Sequence, residues 1–543
     1  MADFLLGQAS TFLQATPNTV FTTKWGHSLY GQDTWKVSRR LTVNLGVRWE
    51  PFFPQSLNNG AVFTFSQDRF NKGVHSTVFK NAPAGLLYAG DPGFEGNTGV
   101  GKRFNQFAPR IGVAFDPKGD GKTSIRTSFG VAYDFPNVMI MSTPATAPPF
   151  ASTVTVNGPV NFGDPYASYP GGNPFPGNFT IGPNVPFVQF GSYVAQQPDA
   201  KGTTVLTWNF AVQHQFGKDW LVSATYLGTQ TSHLWVSMQL NPATIIPGTL
   251  GTCPTGVTTG CNSTTNTNQR RIAYLRNPAT NEGGALAFVD QFESGGTASY
   301  NGMILSVQKR LSTGVSLNAN YTWSHCIGDV TIGSYVGPAG GTYSDVNNRR
   351  RDRGNCQTFT ADTTNGTQAL DRRHIANFTA VMESPKFQNT ILRTLASDWR
   401  LSPSYRVLSG AFQTVTTGID FALTGSAGAQ RPNQVLANPL CDNPNAACWI
   451  NPNAFAQPAQ GTFGNLGRSN VPGPGFWTVD VALSRGFRVR ENINVELRGE
   501  AFNLTNSYRA GAVTTARNNT AQFGQILTAQ DPRIMQVALK LVF

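Results

Sequence analysis

Apolar and polar residues alternate along this chain with period two, in segment after segment. Leu41, Val43, Leu45, Val47 and Trp49 stand against Thr42, Asn44, Gly46, Arg48 and Glu50. Ile125, Thr127, Phe129, Val131 and Tyr133 stand against Ser124, Arg126, Ser128, Gly130 and Ala132, and Leu206, Trp208, Phe210 and Val212 against Thr207, Asn209, Ala211 and Gln213. The rhythm returns at Val315, Leu317, Ala319, Tyr321 and Trp323, at Trp477, Val479, Val481 and Leu483, and at Ile493, Val495 and Leu497. Successive side chains on a strand point to opposite faces, so each segment predicts a strand with one apolar and one polar face. About fourteen such strands are expected, each near the roughly 9–11 residues that cross a bilayer. The pattern runs to the final residue, where Met535, Val537, Leu539, Leu541 and Phe543 form one stripe and Gln536 and Lys540 face the other way.

Any half-buried strand alternates, so a β-sandwich would share this signature. The connections separate the two folds. Short links near Ser38–Arg40, Pro117–Lys122, Gly217–Asp219, Ser312–Gly314 and Arg488–Glu491 alternate with long ones near 52–106, 135–203, 238–298, 326–371, 412–475 and 505–530, with a middling link at 384–397. Tight turns at one end and long loops at the other are the plan of an outer-membrane barrel. The expected fold is therefore all-β, an antiparallel transmembrane β-barrel with long extracellular loops, lipid outside and a wet lumen inside. With the short turns periplasmic, the carboxy-terminus is periplasmic too. Trp25, Trp35, Trp49, Tyr133, Trp220, Tyr226, Trp323 and Trp477 suit the aromatic girdles of such a wall as well as they suit ordinary packing.

Composition agrees. The 543 residues exceed the roughly 250–300 at which a single soluble core stops growing, whereas a barrel grows by adding strands. Only 13% of residues are charged, against about 25% in globular chains. The 56 Gly and 34 Pro disfavour helices. No 18-residue apolar window occurs, which excludes a helical span but not a strand. At the amino-terminus Asp3 and the break at Gly7 read against a signal peptide.

Candidate chemistry changes little. The net charge of +12 and the run Arg349-Arg350-Arg351-Asp352-Arg353 raise nucleic acid as a partner, but neither a recognition helix nor an aromatic-studded sheet accompanies them. The run reads as a solvated charged loop, and no nucleic-acid partner is expected. Asp116 to Thr123 resembles a phosphate-binding loop ending in Gly-Lys-Thr, yet Asp116 occupies the position of its first glycine and a strand follows, so a tight turn is expected. The six histidines are scattered and neither HExxH nor GxSxG occurs; no enzyme activity, metal site or cofactor is expected. The cysteines fall into near pairs, Cys253 with Cys261, Cys326 with Cys356 and Cys441 with Cys448, none spaced CxxC. They read as loop disulfides made in an oxidising compartment, with connectivity left open.

Several segments resemble one family: Trp25 to Glu50, Asn105 to Pro117, Leu370 to Phe378, Gly467 to Asp480, Arg498 to Asn506 and Phe523 to Phe543 are similar to the barrel of TonB-dependent outer-membrane receptors, nearest their Oar-like branch. The resemblance implies energised uptake of a bulky nutrient, a glycan or a metal chelate, caught by the extracellular loops. It implies outer-membrane lipid and the barrel-assembly machinery as partners, the latter reading the stripe Met535, Val537, Leu539, Leu541 and Phe543. Family members add an amino-terminal plug and have about 22 strands. Here the strand pattern begins within the first few dozen residues, so residues 1–543 are expected to form the carboxy-terminal portion of a larger barrel, without plug domain or signal peptide. TonB would then act only through a plug absent from this chain. A surface adhesion or structural barrel and a passive porin are the alternatives.

Overall fold

The structure is a computed structural model that describes the chain apart from residues 1–4, 16–19, 58, 137, 152, 168–172, 174–180, 188, 247–260, 265, 277–281, 333–342, 360–366, 426–429, 491–492 and 543. Its dominant element is a 15-stranded sheet. The main path runs through β1 (Leu29–Lys36), β2 (Leu41–Trp49), β3 (Phe107–Phe115), β4 (Thr123–Asp134), β5 (Thr203–Phe216), β6 (Trp220–Gln239) and β7 (Leu286–Ser312). It continues through β8 (Val315–Gly328), β9 (His374–Glu383), β10 (Trp399–Leu408), β11 (Phe476–Arg490), β12 (Ile493–Phe502) and β13 (Ile534–Val542). Each strand is antiparallel to the next. Two pieces lie off this path: Gly191–Gln196 runs parallel to the outer half of β7, and Gly354–Asn355 caps the end of β8. The sheet is open. Among the described residues β1 and β13 each have one neighbour.

Pairing puts like beside like. Tyr226 lies between Phe210 and Met303, Met303 faces Trp323, Leu401 lies between Met382 and Leu483, and Leu497 faces Leu539. These side chains stay exposed, Trp323 at 55% and Leu539 at 73%, as a wall solvated by lipid requires. The other face is polar and internally bonded. Asn209 Nδ2 donates to Ser128 Oγ at 2.6 Å, Asn377 Nδ2 to Asn320 Oδ1 at 2.9 Å, and Arg400 meets Glu383 at 2.9 Å. A one-residue slip would turn every such group into lipid, so the register is strongly specified. At one point the wall needs a glycine: the Trp208 ring lies across Gly228 on the neighbouring strand, and a Cβ there would overlap it.

Connections sort by length as the alternation of links predicts. Residues 50–106, 135–202, 240–285, 329–373, 409–475 and 503–533 join strands at one end, and 37–40, 116–122, 217–219, 313–314 and 384–398 at the other. In the 116–122 link, Asp116 accepts hydrogen bonds from the N–H groups of Gly119 (2.9 Å) and Gly121 (2.8 Å), so the Gly-Lys-Thr sequence closes a turn. The middling link carries a helix, Thr390–Ala396. The expected link 238–298 needs correction, since β6 reaches Gln239 and β7 begins at Leu286. Leu286, Ala287, Val289, Asp290 and Phe292 are all buried, and a strand covered on both faces shows no period of two.

The buried core belongs to the long-loop end. One cluster gathers Phe63, Phe79, Tyr88, Tyr193, Leu286 and Val289, and another Val415, Ile450, Phe455, Val471 and Phe523. The amino-terminal strand Gln8–Ala15 pairs with Thr153–Asn161 of the 135–202 connection and not with the main sheet.

Candidate ligand site among the long loops

Three long connections, 240–285, 329–373 and 409–475, converge above β6 and β7, and each is tied down by a buried polar residue. Asn241 donates through Nδ2 to the carbonyls of Leu286 (3.2 Å) and Ala287 (2.8 Å), while its Oδ1 accepts the Ala273 N–H at 2.9 Å. Arg270, fully buried, donates to the Thr244 carbonyl (2.8 Å), the Ser263 carbonyl (2.9 Å) and Asn266 Oδ1 (2.7 Å). Arg271 donates to the Asn241 carbonyl at 2.8 Å and stacks over Phe288 at 4.2 Å. Burial pulls its guanidinium down to about 10, against the opposing pull of Asp290. Unpaired, such a cation would be costly; the carbonyls and the ring make it a fastener.

The connections also fasten one another. Ala243 donates its N–H to the Thr424 carbonyl at 3.2 Å. Asp352, fully buried, accepts from Ser344 N–H at 2.8 Å and pairs with Arg431 at 2.6 Å and Arg468 at 3.6 Å. Arg431 also donates to the carbonyls of Leu466 (2.9 Å) and Arg351 (2.8 Å). Burial lowers Arg468 to about 10, with Asp352 working against it.

Between these ties lies a cavity of about 570 Å³, within the range of small-molecule sites. Met238, Leu240, Ile245, Ile272, Val346 and Phe463 give it apolar surface, and Glu293, Asp345 and Arg349 add charge to the lining. Arg349 is paired with Glu293, whose carboxyl burial pushes above the usual range while Arg349 opposes the shift. Such a lining can hold the apolar body of a small molecule and meet a charged or hydroxylated end of it. Among the described residues no group of three or more His, Cys, Asp and Glu could hold a metal ion.

The arginine run therefore differs from its expected role as a solvated loop. Arg349–Asp352 forms a turn of 3-10 helix, Arg349 pairs with Glu293, Arg351 lies over the Phe463 ring at 5.2 Å, and Arg353 reaches Asp329 at 3.8 Å. The loops pack on one another, so charges at their contacts are paired. Of the cysteines, Cys326 bonds Cys356 and Cys441 bonds Cys448, both at the long-loop end, and Cys261 is disulfide-bonded; Cys253 lies outside the described residues. Met535, Val537, Leu539 and Leu541 share one exposed row on β13, and Phe543 lies outside the described residues. No sequence motif marks the cavity. Its residues come from six separate stretches with no common spacing, and the local signals are the run Arg349–Arg353, which supplies Arg349 to the lining, and the adjacent pair Arg270-Arg271 in an otherwise weakly charged segment.

The family model for an outer membrane β-barrel domain matches residues 1–536. No curated protein matches the chain in sequence. Among solved structures it is similar to the FrpB iron transporter from Neisseria meningitidis, at 10% identity and TM-score 0.43, covering 96% of this chain and 46% of that one. It is similar also to the outer membrane transporter YddB from Escherichia coli, at 10% identity and TM-score 0.43, covering 95% and 45%. A third is the ferric yersiniabactin uptake receptor FyuA from Yersinia pestis, at 10% identity and TM-score 0.37, covering 97% and 45%. The chain spans less than half the length of each.

Proposed function

The chain belongs to the outer-membrane β-barrel domain family, and from that premise we propose that it is the transport barrel of a TonB-dependent receptor. Its long loops face the outside, and its short turns and carboxy-terminus face the periplasm. A bulky nutrient, a glycan or a metal chelate, is captured at the loop end and passes through the polar lumen. TonB reaches the whole receptor through a plug domain, as the resemblance of the segments 467–480, 498–506 and 523–543 implies.

One observation carries the reading: three long loops, locked together by buried Arg, Asn and Asp residues, line a largely apolar pocket that also holds charged residues above the barrel wall. Loops of a passive pore gain nothing from such fastening, whereas a receptor must hold its binding surface in one shape before the ligand arrives. The test is growth of the host on a panel of ferric siderophores as sole iron source and oligosaccharides as sole carbon source, with and without the protein and with and without TonB. Growth on one of these probes should require both. Growth that needs the protein but not TonB would favour a porin, and loss of surface attachment with all uptake intact would favour an adhesin.

A further inference from the structure

The helix Thr390–Ala396 sits in the 384–398 link, at the end opposite the long loops, and buries none of its residues. Its apolar side chains Ile391, Leu392 and Leu395 are 68%, 48% and 64% exposed. Positions i, i+1 and i+4 fall on one side of a helix, so they form a single stripe. A helix this short does not hold itself in water, and three features fix this one. Asn389 Oδ1 caps it, accepting from Ile391 N–H at 3.0 Å and Leu392 N–H at 3.3 Å; Trp399 Nε1 donates to the Leu395 carbonyl at 2.8 Å; and Arg485 donates to the Thr394 carbonyl.

Those last two residues say where the helix lies. Trp399 pairs with Arg485, in the same outward row as Leu401 with Leu483 and Tyr405 with Val479. The Arg485 guanidinium lies over Trp399 at 5.4 Å and over Phe487 at 4.8 Å. The helix is thus held from the lipid-facing side of the wall, beside the exposed Met382, Leu401 and Leu483. Its stripe continues that apolar surface, and an arginine and a tryptophan at its edge are the pair that settles at a headgroup boundary.

We propose that this helix is an interfacial anchor, lying outside the barrel in the leaflet on the short-turn side with Ile391, Leu392 and Leu395 inserted among phospholipid acyl chains. The proposal rests on reading the sheet as a membrane wall. It is tested with the full chain in phosphatidylethanolamine–phosphatidylglycerol vesicles, carrying a nitroxide at one position at a time: Ile391→Cys, Leu395→Cys, Leu483→Cys on the wall, and Ser402→Cys on the polar face. Oxygen, which concentrates in lipid, should relax the labels at 391, 395 and 483 at least several-fold more than an aqueous nickel chelate does, with the reverse at 402. A lipid signal at 483 with an aqueous signal at 391 and 395 would overturn the anchor and leave the barrel standing. An aqueous signal at 483 would overturn both. The labels at 391, 395 and 483 replace exposed side chains, so folding is not at stake there, and either helix position alone decides.

Discussion

At the scale of single residues, the loops are held by buried polar groups as well as by their apolar clusters, and Asp91 in the 50–106 connection shows the consequence. The residue is 6% exposed, and its Oδ1 accepts from Thr77 N–H (2.6 Å), Thr77 Oγ1 (2.9 Å) and Val78 N–H (3.2 Å), its Oδ2 from Tyr88 N–H (2.9 Å). Burial by itself pushes the carboxyl up, but hydrogen bonds from Ser76, Tyr88 and Thr77 outweigh it and hold the group below its ordinary value. A folded pKa below the unfolded one gives stability that is complete above about pH 4 and is lost as pH falls through the folded value. Amide-exchange protection at Thr77, Val78 and Tyr88, corrected for intrinsic rates, should therefore be flat from neutral pH to about 4.5 and fall below it. Asp91→Asn should lose about 1–3 kcal/mol of that protection near neutral pH, with the difference from the parent closing as pH falls through the folded value. An Asn variant as protected as the parent would show that the charge is idle. Nothing in Asp91-Pro92-Gly93 distinguishes this residue in sequence from an ordinary turn aspartate, because its importance comes from amides brought to it across the loop.

At the scale of elements, strands were legible where lipid disciplines them. β2, β4, β5, β8, β11 and β12 alternate because one face meets hydrocarbon and the other water. β1 escapes the pattern: its outward row is Leu29, Gly31, Asp33 and Trp35, paired with Trp49, Val47, Leu45 and Val43. The outer half of β7 escapes it by being buried on both faces. Loop structure was not legible, since Arg431 and Asp352 meet across 79 residues with no periodicity to announce it. That pair supplies an element-scale prediction. Breaking it with Asp352→Ala strands a buried cation and should cost roughly 3–5 kcal/mol, seen as faster amide exchange throughout 409–475 with the strands of the wall unchanged. Replacing Asp352 together with its nearer partner, Asp352→Leu with Arg431→Met, should recover part of the loss, since buried Arg468 loses the carboxylate in both variants. If the double variant is as loose as the single one, the tie holds the loops through the other hydrogen bonds of Arg431 and not through its charge.

At the scale of the whole molecule, the direction of the strands constrains how the wall can close. Every step from β1 to β13 reverses direction, so the first and last strands run the same way, both toward the short-turn end. Brought together directly they would form a parallel seam. Left apart, each would present a row of unpaired N–H and C=O groups to hydrocarbon, which costs several kcal/mol per group. An all-antiparallel barrel has an even number of strands, and β1–β13 leave an odd number to be supplied before the wall can close in that way. We expect β1 and β13 each to pair with a strand from outside this set. Cysteine scans across Leu29–Lys36 and Ile534–Val542 should then yield no cross-link between the two in membrane-inserted protein, while amides on the free edges of both exchange slowly. Efficient cross-links in one parallel register would show instead that the sheet closes on itself. In that case the lumen would be bounded by these strands alone and the polar face that carries Asn209, Asn320 and Asn377 would line the entire path of a ligand.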